Sequence, residues 1–205
     1  MPLPSSIDGF LGKIKQGVKP NMFEVEIQFP QNYKVNTDDI QLTNLLCKST
    51  NLPGSNLGVI EVPFRGRTVK IAGDRTFDNW SATFFNDKDF KVRGFFEEWS
   101  QFINTHEKNT APRFIPEFGD SGYMATIKVH QLEKNATEPG GSIIRTYSLM
   151  HAFPTSVSSI DLAYDSNDQI EEFTVEFQMS YWETSGNTAA NAASAANSGG
   201  NTVTA

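Results

Sequence analysis

From Phe23 to Phe29, apolar residues (Phe23, Val25, Ile27, Phe29) take every second position, and Glu24, Glu26 and Gln28 fill the gaps. A period of two turns one face of a strand to a core and the other to water, so this segment predicts a β-strand. The same period recurs in Ile60, Val62 and Phe64 and resumes in Val69 and Ile71 beyond Arg65-Gly66-Arg67, which predicts a hairpin. Pro63 has no N–H to give to a ladder, so the first arm reads as an edge or bulged strand. Trp80 is followed by the β-compatible run SATFF. Tyr123, Ala125, Ile127 and Val129 alternate again, and with IIRTYSLMHAF they predict an antiparallel pair closed by the EPGG turn at Glu138 to Gly141. The last strand is the clearest. Phe173, Val175, Phe177, Met179 and Tyr181 face one way and Glu172, Thr174, Glu176, Gln178 and Ser180 the other, leaving one wet face.

Two segments change to helical spacing. Ile7, Phe10, Leu11 and Ile14 predict a short helix over 5–17, with Ser5 or Ser6 as cap, Gly17 as its stop and Pro20 beyond. Val92, Phe96, Trp99 and Ile103, widened by Phe95 and Phe102, form the stripe of a second helix over about 88–104, with a polar cap at Asn86-Asp87. Such a stripe has to pack on a sheet. Residues 30–56 are rich in Asn, Asp, Thr and Ser and read mostly as loop around the apolar piece Leu42 to Cys47, and 105–121 read as a long loop. The segment AGDRTFDNW, Ala72 to Trp80, reads as a turn with an Asp–Arg ion pair.

Composition bounds the organisation. With 205 residues, 16 Phe, 3 Trp and 5 Tyr the chain can build one aromatic-rich core and no second full domain. That domain is expected to span 1–183. The stretch TSGNTAANAASAANSGGNTVTA over 184–205 is uncharged and of low complexity, and alone it cannot bury enough surface to fold. The start, MPLPSSIDGFLGKIKQG, lacks the apolar core of a signal peptide, and no apolar run approaches the ~20 residues of a membrane span, so no membrane anchor is expected. The lone Cys47 excludes an intrachain disulfide framework.

Charge narrows the partners. All 17 Lys and Arg precede His151 and are balanced there by as many Asp and Glu, so the formal charge of −7 comes from Asp161, Asp165, Asp168, Glu171, Glu172, Glu176 and Glu183. This disfavours tight binding to nucleic-acid phosphates. His106, His130 and His151 are far apart, and neither metal-ligand spacings, a nucleophile elbow, a phosphate loop nor a dinucleotide fingerprint occurs. The expectation is a protein with no catalytic, metal or cofactor site. Asp161, Asp165 and Asp168 in IDLAYDSNDQI lack the glycine and terminal glutamate of a calcium loop and read as an acidic turn.

The run GRTVKIAGDRTFDNWSATFFND, preceded by KPNMFEVEI and the CKSTNLPG turn and followed by LAYDSNDQIEEF and FTVEFQMSYWE, resembles the T4-type contractile-tail tube protein family over roughly Phe10 to Glu183. Extra residues around Tyr33 to Leu45 and the tail after Glu183 depart from it. The resemblance implies a mainly β fold, an antiparallel β-sandwich or barrel with a flanking helix. It also implies six copies in a ring, rings stacked into the inner tube of a contractile phage tail, and passage of the genome to the host. The implied partners are the chain itself, the tail sheath, tape-measure, baseplate and tail-terminator proteins, and genomic DNA in passage. The implied location is the virion tail, assembled in the host cytoplasm. On this reading Arg65, Gly66, Arg67, Asp74 and Arg75 are candidate subunit-interface residues, and Glu172 and Glu176 candidate lumen-facing acids. A tube-like baseplate initiator and the tubes of type VI secretion or phage-tail-like bacteriocins share the implied architecture. A monomeric carbohydrate-binding β-sandwich using Tyr123, Tyr147 or Trp182 is the competing class.

Overall fold

The computed structural model describes residues 7, 11, 14, 17–30, 36–108, 122–133, 143–167 and 169–185. Their elements run β1 (Phe23–Gln28), α1 (Thr37–Leu45), β2 (Cys47–Thr50), β3 (Ser55–Phe64), β4 (Arg67–Phe77), β5 (Trp80–Phe85), α2 (Lys91–Ile103), β6 (Ala125–Leu132), β7 (Ile143–Val157), β8 (Glu172–Gln178) and β9 (Tyr181–Ser185). The fold is mainly β and antiparallel, as expected, and the described strands do not close into a barrel.

Strand β7 joins two layers. Its first part pairs with β6 and β9, and its last part, from Phe153 to Val157, pairs with β8. One layer therefore runs β1-β6-β7-β9 and the other β7-β8-β5-β2. Between them the β6–β7 register slips by one residue next to His151, whose φ is 56°. An extra residue of this kind bends a strand and lets it change sheets.

The alternating residues of both layers meet in one core. Val25, Ile27, Ile127, Val129 and Leu149 come from the first layer and Trp80, Phe84, Phe173, Val175 and Phe177 from the second, all buried. Helix α2 closes this core with Val92, Phe96 and Trp99, three residues of its predicted stripe. It begins later than expected because Phe90 takes a left-handed φ of 55° and the N-cap position, so the polar cap expected at Asn86-Asp87 does not form there, although the Asp87 carboxylate accepts the Val92 N–H at 3.0 Å. The buried indoles keep their donors satisfied: Trp99 Nε1–H donates to the Tyr123 carbonyl at 2.9 Å and Trp80 Nε1–H to that of Asn51 at 2.7 Å.

Three local readings are corrected. The 30–56 region contains α1 and β2, so CKST is a strand rather than a turn. Helix α1 carries Asp38 and Asp39 in its first turn, where the helix dipole favours negative charge, and Asn44 Oδ1 accepts the Ile27 N–H at 3.1 Å, covering the outer edge of β1. AGDRTF belongs to β4, and Arg75 donates to Ser55 Oγ at 2.9 Å; it has no ion pair among the described residues. The last strand is two strands, because Met179 and Ser180 break it and β9 folds back onto β7, sending Tyr181 outward and Trp182 against the core. Of the predicted N-terminal helix, Ile7, Leu11 and Ile14 are helical and exposed, and the Gly17 N–H donates to Ile14 at 3.0 Å. The EPGG turn, Asp168 and residues 186–205 lie outside the described residues.

Candidate functional site

The hairpin of β3 and β4 is a two-stranded sheet with no third strand among the described residues. Its turn is Arg65-Gly66, both at positive φ (45° and 81°), the geometry that matches the right-handed twist of two-residue hairpins. Gly66 suits that position because it has no Cβ to clash. Lower down the register slips opposite Gly58, where the arms approach so closely that a Cβ on Gly73 would sit 3.1 Å from the Gly58 carbonyl carbon. Pro63 pairs with Thr68 in this free-standing sheet, in keeping with its edge character.

Register decides what each hairpin face carries. Ile60 lies opposite Ile71, Val62 opposite Val69 and Phe64 opposite Arg67, so these apolar residues share one face. The other face holds the Glu61–Lys70 ion pair at 3.4 Å. All five apolar residues are exposed, from 41 % at Val62 to 63 % at Phe64. A two-stranded ribbon is marginal in water, and an apolar face of this size is normally covered. Arg65, Gly66 and Arg67 thus sit together at the tip, and Asp74 and Arg75 nearer the base. Gly54, just before the hairpin, accepts Trp182 Nε1–H at 3.0 Å, which ties that base to β9.

The second candidate group is less acidic than its sequence. Glu172 and Glu176 both lie on the outer face of β8, away from buried Phe173, Val175 and Phe177. Glu172, however, is ion-paired with Lys48 of β2, a partner 124 residues away that sequence spacing does not reveal. Glu176 stands opposite Ser81 and is exposed, and between the two acids Thr83 and Thr174 share a hydroxyl–hydroxyl hydrogen bond at 3.0 Å. The aromatic candidates are half-buried: Tyr147 packs on Trp182 at 5.8 Å and Tyr123 edge-on against Phe153 at 5.6 Å.

On the outer face of the first layer, partial burial works to raise the Glu26 carboxyl pKa, but the Gln28 hydrogen bond, the Lys128 charge and hydrogen bond and the His130 contact together hold it below its ordinary 4.5. His130 Nδ1 is in turn 2.8 Å from the Thr146 hydroxyl. A lowered carboxylate pKa contributes stability present above the unfolded value and lost as pH falls through the folded one. Glu26→Gln is therefore expected to cost less than about 1 kcal/mol at pH 7, screened by solvent, and nothing well below pH 4. Urea titrations at the two pH values check this. Burial pushes the Cys47 thiol up to about 12. The native thiol is expected to react with a disulfide reagent at pH 8 at least ~100-fold more slowly than the denatured chain, since the thiolate is the nucleophile.

A family model for phage tail tube proteins matches residues 18–185. The chain belongs to the phage tail tube protein family. This tail tube protein is 31 % identical over 166 residues to tail tube protein gp19 of Enterobacteria phage T4, covering 80 % of this chain and 90 % of that one. It is 27 % identical over 177 residues to the tail tube protein of Serratia phage KSP90, covering 85 % and 94 %. Its fold is similar to that of a chain in the PVC extracellular contractile injection system, solved as the sheath–tube complex in its extended state, with a TM-score of 0.53, 17 % identity and coverage of 86 % and 97 %. A tail tube protein is a structural component of the virion tail.

Proposed function

We propose that this tail tube protein forms six-membered rings that stack into the inner tube of a contractile tail, and that the tube is a passive conduit. The genome and the tape-measure protein pass through it, an outer sheath surrounds it, and baseplate and terminator proteins define its two ends. The observation that carries self-assembly is the apolar face of Ile60, Val62, Phe64, Val69 and Ile71, which a monomer leaves in water. Its function needs no chemistry: the work is done by rigidity and by the shape of the bore.

The face of β8 bearing Glu172 and Glu176 lines the lumen on this reading. With Lys48 neutralising Glu172, Glu176 is the acid of this face that has no ion pair among the described residues, set among hydroxyl-bearing side chains. Such a surface offers phosphates no attractive site, so DNA would slide past without the salt-dependent retention that a basic channel imposes. Arg65, Gly66, Arg67, Asp74 and Arg75 would then lie at contacts between subunits.

Negative-stain microscopy of the purified protein over a wide concentration range tests assembly. Rings or tubes are expected, and a persistent monomer would overturn the reading. A structure of the assembled tube with a net-positive bore, or with Glu176 pointing away from it, would overturn the lumen assignment.

A further inference from the structure

Helix α1 falls within the residues around Tyr33 to Leu45 that set this chain apart from the tail tube family, so the resemblance gives it no role. Its inner side is fastened. Asn44 Oδ1 accepts the Ile27 N–H of β1 at 3.1 Å, the fully buried Thr43 donates its hydroxyl to the Asp39 carbonyl at 2.9 Å, and Asp39 is 3.7 Å from Lys91 of α2. Its outer side faces solvent: Asp38, Gln41 and Leu45, spaced i, i+3, i+7 and therefore on one face, are exposed, Leu45 at 80 %.

Helix α2 separates α1 from a cleft. At 3.6 residues per turn, Lys91 and Phe95 fall on one flank of the buried Val92–Phe96–Trp99 stripe, and Arg93, Glu97 and Ser100 fall on the other. The first flank meets α1 through Lys91 and meets Phe29 through Phe95, with ring centroids 6.5 Å apart. The second flank, with Gly94 and Gln101, walls a cleft of about 510 Å³ that also takes in His106 and the Pro154 to Val157 stretch of β7. This cleft runs beside an open sheet edge. Among the described strands the last part of β7 pairs with β8 alone, and at the other side of the same layer β2, one residue beyond α1, pairs with β5 alone. The second layer thus has an open edge on each side, flanked by α1 on one and by the cleft on the other. In a ring each copy has a neighbour on both sides, which brings the α1 side of one to the cleft side of the next.

The two surfaces match in height, shape and polarity. The Leu46 carbonyl accepts the Phe85 N–H at 3.0 Å, Phe84 pairs with Phe173, and the Arg93 guanidinium lies 5.4 Å from the Phe173 ring centroid, so Leu45 and Gly94 are level along the strands. Gly94 sits inside α2 without a left-handed φ, and a Cβ there would meet no described atom within 4 Å. Glycine is among the poorest residues for a helix interior, so its gain here lies in what it admits from outside. Helix α1 has no Lys or Arg and exposes Asp38, whereas the cleft holds Arg93 and His106; its Glu97 is already paired with Arg93 at 2.7 Å, and its Glu98 has a partner of its own.

We infer that α1 of one subunit docks into the α2–β7 cleft of the next subunit in the ring, with Leu45 over Gly94. This rests on the ring reading above and gives the added helix a place in it, continuous with the open edges of the second layer. The contact is heterologous: each subunit gives its helix to one neighbour and its cleft to the other.

Filling the cleft tests it. Full-length Gly94→Leu should unfold at the same or a higher urea concentration than the unmodified chain, because leucine is the better helix former and meets no neighbour, yet its critical concentration for assembly should rise at least about tenfold. Adding Leu45→Ala to the same chain should bring that concentration back to within about threefold of the unmodified value, since the room lost on one side is returned on the other. Gly94→Leu that assembles normally would overturn the proposal. So would Gly94→Leu that unfolds at lower urea, because the cleft would then be filled within the subunit. Impaired assembly that Leu45→Ala does not relieve would overturn α1 as the occupant. All three outcomes leave the tube reading standing, whereas failure of the unmodified protein to assemble at any concentration would overturn that reading itself.

Discussion

Truncation of Phe96 to alanine is expected to lower the unfolding free energy of the monomer by about 3–5 kcal/mol, the range for deleting a buried aromatic ring. Phe96 is fully buried at the meeting point of α2 and the second layer, 4.9 Å from the Phe84 ring, 5.9 Å from Phe177 and 6.1 Å from Phe173. Removing it takes away the transfer free energy of the ring and these aromatic pairings, each worth roughly 0.5–1.5 kcal/mol beyond area burial. Three rings fixed on two rigid strands cannot all move in to fill the gap. The loss exceeds a third of the total stability of many domains, so the variant should unfold at a much lower urea concentration and assemble poorly as a secondary effect. A loss below about 1 kcal/mol would mean that α2 is not seated on the core as described.

The second large effect should leave the fold alone. Val62 and Val69 face each other across the hairpin, so Val62→Lys with Val69→Glu replaces an apolar pair by an opposite-charge pair that a two-stranded ladder tolerates well. Monomer stability should change by no more than about 0.5 kcal/mol, because both residues are exposed. Assembly should change greatly. Each valine buried at a contact between subunits is worth up to roughly 1.5–3 kcal/mol, so the pair should raise the critical concentration on the order of 100-fold or more. Sedimentation velocity across a dilution series reads this directly. Unchanged assembly, with monomer stability also unchanged, would show that the apolar face of the hairpin is not covered by another subunit.

These two variants separate what holds the subunit together from what joins it to others, and the distinction lies in exposure rather than residue type. Phe96 and Phe64 are both phenylalanines within alternating or helical patterns. One is fully buried among rings and the other 63 % exposed on a ribbon with no third strand among the described residues. Both read equally as core candidates in the sequence, because periodicity reports which face is apolar and not what covers it.

Where an element satisfies itself locally, it was legible. The β1 alternation, the Arg65-Gly66 hairpin and the Val92–Phe96–Trp99 stripe each carry their signal within one segment, and the structure returns all three. Helix α1 was not legible, because TDDIQLTNL has almost no helical amphipathicity and Asn44 is spent on the edge of β1. Strand β2 is only four residues long and exists through its pairing with β5. The break at Met179–Ser180 was hidden because the even spacing of apolar residues runs straight through it, and only the return of β9 onto β7 reveals the change of layer.

The sequence by itself determined that this is a β-rich protein with one aromatic core, a hairpin around Arg65-Gly66-Arg67 and an acidic stretch after His151, because propensity, period and charge are properties of short runs of residues. Its likeness to tail tube proteins was carried by several such runs in order. Only the tertiary structure decided that Lys48 neutralises Glu172, that the hairpin's apolar face is exposed, and that the hairpin and the acidic loop join the β5–β8 pair at its two ends. Those facts depend on which distant segments are brought side by side, and register between strands far apart in the chain is set by the packing of the whole core, not by any one segment.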